Sequence, residues 1–183
     1  MSVVVTSLAV AREEPGELLS RLSNPDAKLV CFYRAPWDFA LAEEQGEAPA
    51  AGRAPGWIDQ WTRQTAAMLQ AWQAAPERVI LVNAARAGDA AQVVERLASL
   101  GAAIEVDRVL EEQGKRSLPS WAGALAAAWF AELAPAAWEC YEALESCAQV
   151  TGDEPELRGT VELGDVADLD WALGRLAGGL RER

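Results

Sequence analysis

Histidine is absent from the 183 residues of this chain. That absence excludes Ser-His-Asp and Cys-His catalysis, histidine-ligated metal centres and histidine proton shuttles, so any proton transfer falls to Asp, Glu, Lys, Tyr or Cys. Lysine is nearly absent: Lys28 and Lys115 are its two positions, and arginine supplies the other basic side chains. Cysteine is scarce and unpatterned. Cys31, Cys140 and Cys147 are odd in number and lack a Cys-x-x-Cys spacing, which argues against a disulfide framework and a zinc site. Cys140 and Cys147 fall on a predicted helix, about 10.5 Å apart along its axis, too far to bridge within it. All three read as packing residues or incidental thiols. No apolar run reaches the roughly 20 residues of a membrane span, because Glu132 and Pro135 break the alanine-rich region around Leu125. The amino terminus has no basic leading region, and its apolar run ends at Arg12-Glu13-Glu14. It reads as a first strand, and the expected compartment is the cytoplasm.

What the chain has in excess is negative charge. Against 28 acidic residues stand 16 basic ones, a net charge of −12, and the averaged surface potential repels phosphate polymers and anionic headgroups. Neither nucleic acid nor a membrane surface is an expected partner. A hydrophobic fraction of 51% suffices for one core in one ordinary domain. The expected organisation is a single α/β domain over 1–183, with an alternating strand and helix core in 1–106 and a mainly helical extension in 107–183.

Apolar periodicity places the elements. Strand one covers Val3 to Val10, and Pro15 to Leu22 forms a short helix with proline in its first turn. Leu29 to Tyr33 is a continuous apolar run, the mark of a strand buried on both faces. Pro36 opens a helix through about Glu44, and Gly46 to Gly56 has the composition of a mobile loop. Trp57, Trp61, Thr65, Met68 and Trp72 then share one helical face, which predicts a helix from Trp57 to Ala74. Val79 to Val82 is a third buried strand. Gly88-Asp89 leads into a helix striped by Val93, Val94, Leu97 and Leu100 and ended by Gly101. Strands separated by helices imply parallel pairing with right-handed crossovers. Ala103 to Val106 reads as either a short strand or the start of a helix. Pro119 to Leu133 and Pro135 to Gln149 form a helical hairpin, Gly159 to Leu163 a short strand, and Asp165 to Leu180 a closing helix. No internal repeat points to a solenoid.

Lys28-Leu-Val-Cys-Phe-Tyr-Arg-Ala-Pro-Trp-Asp-Phe-Ala-Leu-Ala42, followed by Trp57 to Leu100, resembles the central part of the P-loop sulfotransferase superfamily. There an Arg-x-Pro-x-Asp-x-Ala-x-Ser turn follows a strand, and a tryptophan-rich helix, a strand and a further helix come next. By that resemblance Arg34 matches the arginine that binds the 3′-phosphate of the nucleotide donor, while Ala42 stands where the family has its serine. The family's first strand also runs into a lysine-containing phosphate loop whose backbone amides and cation hold the 5′-phosphosulfate. Here Ser7 to Gly16 holds no lysine and two carboxylates, which repel such a ligand. After the third strand, Asn83-Ala-Ala-Arg86 takes the place of an Arg-Tyr-Glu-like segment. Gln113-Gly-Lys-Arg-Ser117 offers a late nucleotide loop, but one glycine beside two basic residues is common in surface turns and reads as one.

Other groupings carry two readings each. Arg34 with Asp38 is either a local ion pair or an anion receptor with its orienting carboxylate. Trp57, Trp61 and Trp72 are either a core face or a stacking surface for a small ligand. Glu139, Glu142 and Glu145 are a solvated face, or else acid, base or cation ligands. Trp121, Trp129 and Trp138 either pack on the sheet or form an exposed docking surface.

The resulting expectation is a three-layer α/β fold with a short, mainly parallel sheet, P-loop-transferase-like, with a helical carboxy-terminal extension. Functionally, a noncatalytic sulfotransferase-like protein is expected, without cofactor or metal. It acts through a protein partner or as a homodimer, and the resemblance places it as an accessory to surface-polysaccharide metabolism. The alternative is an active transferase using 3′-phosphoadenosine 5′-phosphosulfate or a related nucleotide. Its rebuilt donor site would centre on Arg34, with Arg12 and Lys115 as further phosphate contacts and Asp38 or Glu43 as base.

Overall fold

The computed structural model describes residues 3–7, 18, 20, 22–43, 56–114, 127, 131 and 134–151. Three strands, β1 (Val3–Ser7), β2 (Lys28–Tyr33) and β3 (Val79–Asn83), form a parallel sheet in the order β1-β2-β3. The register sets Val5 opposite Val30 and Val30 opposite Ile80. Among the described residues five helices accompany it: α1 (Pro36–Glu43), α2 (Gly56–Ala74), α3 (Ala90–Ser99), α4 (Val106–Gln113) and α5 (Pro135–Cys147). The chain is thus mixed α/β with a short parallel sheet, as its alternating pattern predicts.

Continuous apolar strands leave no solvated side, and alternate residues of β2 and β3 enter two different cores. Leu29, Cys31, Tyr33, Val79 and Leu81 pack with α1, α2 and α5 through Trp37, Trp61, Met68, Trp138, Tyr141 and Leu144. Val30, Phe32, Ile80 and Val82 pack with α3 and α4 through Val93, Leu97 and Val109. The α2 stripe is a core face: Trp61, Thr65 and Met68 are fully buried, and Trp72 packs half-buried against them. The side chain of Trp57 lies outside the described residues.

The ends of α3 follow from its flanks. Asp89, in an extended conformation, accepts a 2.9 Å bond from the Ala91 amide and caps the amino end. At the other end Gly101 takes a φ of 77°. Its amide donates to the Ala98 carbonyl while that of Ala102 donates to Leu97, the paired bonds of a Schellman stop. The stretch 103–106, left open between strand and helix, resolves as the entry to α4, which begins at Val106 with extended Glu105 at the N-cap.

The outer edge of β3 is fully bonded. Arg78 and Ala84 bond to β2 through Leu29 and Tyr33, so the odd-numbered residues of β3 face outward. The Val79 amide donates to the Ala75 carbonyl, and the Asn83 carbonyl accepts from Arg86 and Ala87. Between them the Leu81 amide donates to the Gln149 carboxamide oxygen at 2.8 Å, whose nitrogen donates to the Val79 carbonyl at 3.4 Å. The Leu81 carbonyl accepts from the amides of Gln149 and Val150, and the Asn83 amide donates to the Val150 carbonyl at 2.9 Å. Val150 forms a parallel bridge with Val82.

Several expected elements lie wholly or partly outside the described residues. The strand over 159–163 and the closing helix over 165–180 are wholly outside. Of the early helix, Leu18 and Ser20 are helical; of the first hairpin arm, Ala127 and Ala131 are. No helix among the described residues is long and apolar enough to cross a membrane.

Candidate functional site at the carboxyl edge of the sheet

Parallel α/β sheets present their ligand sites where strands end and crossovers diverge. At that edge β2 delivers Tyr33 and Arg34, β3 delivers Asn83, and the turn after β3 delivers Arg86. Helix α5 brings Tyr141 and Glu145 to meet them. The Tyr33 hydroxyl donates to Glu145 Oε1 at 2.6 Å, and the Asn83 side-chain Nδ2 donates to the same oxygen at 2.6 Å. Arg86 Nη1 donates to Glu145 Oε2 at 3.0 Å, where the Thr151 hydroxyl also donates at 3.4 Å.

This carboxylate is deeply enclosed, with 2% of its side chain exposed against 20% for Arg86. One cation and several neutral donors compensate a charge that burial alone would make costly. Burial raises the Tyr33 pKa far above the usual phenol value, and the Glu145 charge raises it further. The phenol therefore keeps its proton and serves as a donor, not as a nucleophile. With both oxygens engaged and solvent excluded, Glu145 is arranged as an anchor for α5 on the strand ends.

Arg34 sits beside this cluster and is 4% exposed. Its guanidinium donates to the Glu112 carbonyl in the last turn of α4, a natural place for a cation because carbonyls converge there. Its own carbonyl accepts from the Trp61 indole at 3.1 Å. Burial lowers the Arg34 pKa, and the neighbouring Asp38 and Glu112 carboxylates act in the opposite direction. Glu112 in turn pairs with Arg108 at 3.3 Å. Four charges of alternating sign thus fill the joint between β2, α1 and α4.

The predicted site residues separate. Arg34 and Asp38 come together, both buried. Glu43 is the last residue of α1, and its side chain lies outside the described residues, as do Arg12 and Lys115. The sequence singled out Glu145 only as one of three carboxylates on a helix, and it gave no role to Tyr33, Asn83, Arg86 or Glu112. Polar residues closing two buried strands were a usable signal for Tyr33 and Asn83.

Two readings require correction. Glu139, Glu142 and Glu145 were expected on one solvated face, yet they are exposed, half-buried and buried respectively. Each three-residue step turns about 300° around a helix, so two steps rotate Glu145 away from Glu139 and into the face of Trp138 and Tyr141. Trp138, a candidate for an exposed docking surface, is 1% exposed. It stacks on Trp37 at 6.2 Å, with Tyr141 5.4 Å from Trp37. Trp121 and Trp129 lie outside the described residues.

The three cysteines are free thiols. Burial pushes the Cys140 and Cys147 thiols up, which disfavours the reactive thiolate. A shallow depression of about 310 Å³ at the amino edge is lined by Pro25, Asp26, Ala27, Lys28 and Arg78. Its cations stitch backbone together: Lys28 donates to the Glu77 and Leu100 carbonyls, and Arg78 to those of Asn24 and Leu22. Among the described residues no group of three or more metal-ligating side chains converges. Comparison with family models, characterised proteins and solved structures finds no match.

Proposed function

We propose that this chain is a noncatalytic, sulfotransferase-like protein with a three-layer, P-loop-transferase-like architecture, acting through protein contacts rather than on a nucleotide donor. The observation that supports this reading is the position of Arg34. In a donor site this guanidinium must face a phosphate; here it is buried against the Glu112 carbonyl, with Asp38 and Glu112 supplying the negative charge around it. A phosphate entering the joint would displace protein partners and meet two carboxylates. Arg34 accordingly works as a strut that joins β2 to the end of α4.

A contact surface has one candidate on the same helix. Val106 and Leu110, one turn apart on α4, are the exposed large apolar side chains among the described residues. Association with a second copy or with a protein of surface-polysaccharide metabolism is the context that the sequence resemblance supplies.

The test is calorimetric titration with 3′-phosphoadenosine 5′-phosphate, accompanied by thermal melts. The expected result is no binding heat at millimolar ligand and an unchanged melting temperature. Micromolar binding by the unaltered chain overturns the proposal, and its loss in Arg34→Ala would locate the donor site at this turn.

A further inference from the structure

The donors around Glu145 are held in place without it. Tyr33 and Asn83 are register partners at the ends of β2 and β3, so the ladder sets their side chains on one face. The Asn83 side-chain oxygen accepts from the Ala85 amide at 3.2 Å, which turns Nδ2 towards the carboxylate. The turn that carries Arg86 is bonded to the Asn83 carbonyl, and its Ala84 amide donates to Tyr33. Thr151 follows Val150, whose backbone is bonded to β3. All four donors thus belong to the sheet and its bonded flanks, and the acceptor alone comes from α5. The chain after β2 enters the core that holds α1 and α2, and the chain after β3 enters the core that holds α3 and α4. The crevice between these two strand ends is therefore the switch point at which open α/β sheets take ligands.

The chemistry of the crevice is selective. Two donors meet each oxygen of Glu145: Tyr33 and Asn83 on one, Arg86 and Thr151 on the other. A carboxylate accepts at both oxygens, whereas a carboxamide would set an N–H against one donor pair. One cation balances a monoanion and undercompensates a phosphate dianion. We propose that Tyr33, Asn83, Arg86 and Thr151 form a carboxylate-binding site that the chain fills with its own Glu145, an internal ligand that closes the switch point to outside anions. This site is separate from Arg34 and does not depend on the sulfotransferase likeness.

Rescue of Glu145→Ala by formate tests this on the full chain. The substitution deletes one methylene and the carboxylate, and formate is a bare carboxylate that fits the space. Urea midpoints are compared in sodium formate and in sodium chloride at equal ionic strength. For a Kd on the order of 10 mM, about 100 mM formate should raise the folding equilibrium constant of Glu145→Ala about tenfold over chloride, saturably. Formamide, equal in size but neutral, should give less than about a twofold gain. The unaltered chain, its site already filled, should not distinguish formate from chloride, and adding Arg86→Ala to Glu145→Ala should abolish the gain. A folded Glu145→Ala that is indifferent to formate overturns the proposal. So does an equal gain from formamide, in the unaltered chain, or after Arg86→Ala. If Glu145→Ala is unfolded in chloride, formate must restore its near-ultraviolet circular dichroism, and failure to do so overturns the proposal equally.

Discussion

Glu145 shows how much one buried carboxylate can organise. Truncation in Glu145→Ala leaves the Tyr33 hydroxyl, the Asn83 side-chain Nδ2 and Arg86 without the carboxylate they share. Leaving buried donors unsatisfied costs about 1–3 kcal/mol for each group. The variant should lose about 3 kcal/mol or more, read as a lower urea midpoint at unchanged slope. Tyr33 makes a separate prediction. Its folded pKa lies above the unfolded value of 10.0, so its contribution is complete below pH 10 and declines as pH rises further. There the unfolded chain loses a proton that the folded chain keeps. Stability should fall by about 1.4 kcal/mol per pH unit from this group, and Tyr33→Phe should remove that increment from urea midpoints measured between pH 9 and 11. The pairing itself was not legible in sequence, because Tyr33 and Glu145 are separated by 112 residues and a three-residue repeat of glutamates resembles any solvated face. Arg34 was legible as a polar residue at a strand end. Its partner was not, since Glu112 lies 78 residues away in a stretch with no motif.

Elements were more readable than contacts, because periodicity is local. The spacing of Trp61, Thr65, Met68 and Trp72 fixes both the existence of α2 and its inward face. The apolar continuity of β2 and β3 likewise announces burial on two sides. The end of α3 was visible as Gly101, and its φ of 77° explains why glycine serves there. Gly101→Ala should cost about 1 kcal/mol, because a Cβ disfavours the left-handed region, with the loss read from the thermal midpoint. Ala103 to Val106 remained ambiguous between strand and helix because four residues are too few to show a period. What settles it is tertiary: Val109 is buried in the core with Val93 and Leu97, and that burial commits the turn before it.

At the scale of the whole chain, the sheet is assembled from strands far apart in sequence, and its closure arrives last. Leu81 and the Gln149 carboxamide that covers it are 68 residues apart. Ribosomes add about 5–20 residues per second, so β3 is synthesised roughly 3–14 s before its cover. During that interval the Leu81 amide and carbonyl lack the partners that Gln149 and Val150 supply in the folded chain. Slowing translation across the segment encoding α5 lengthens the exposure, and accelerating it shortens it.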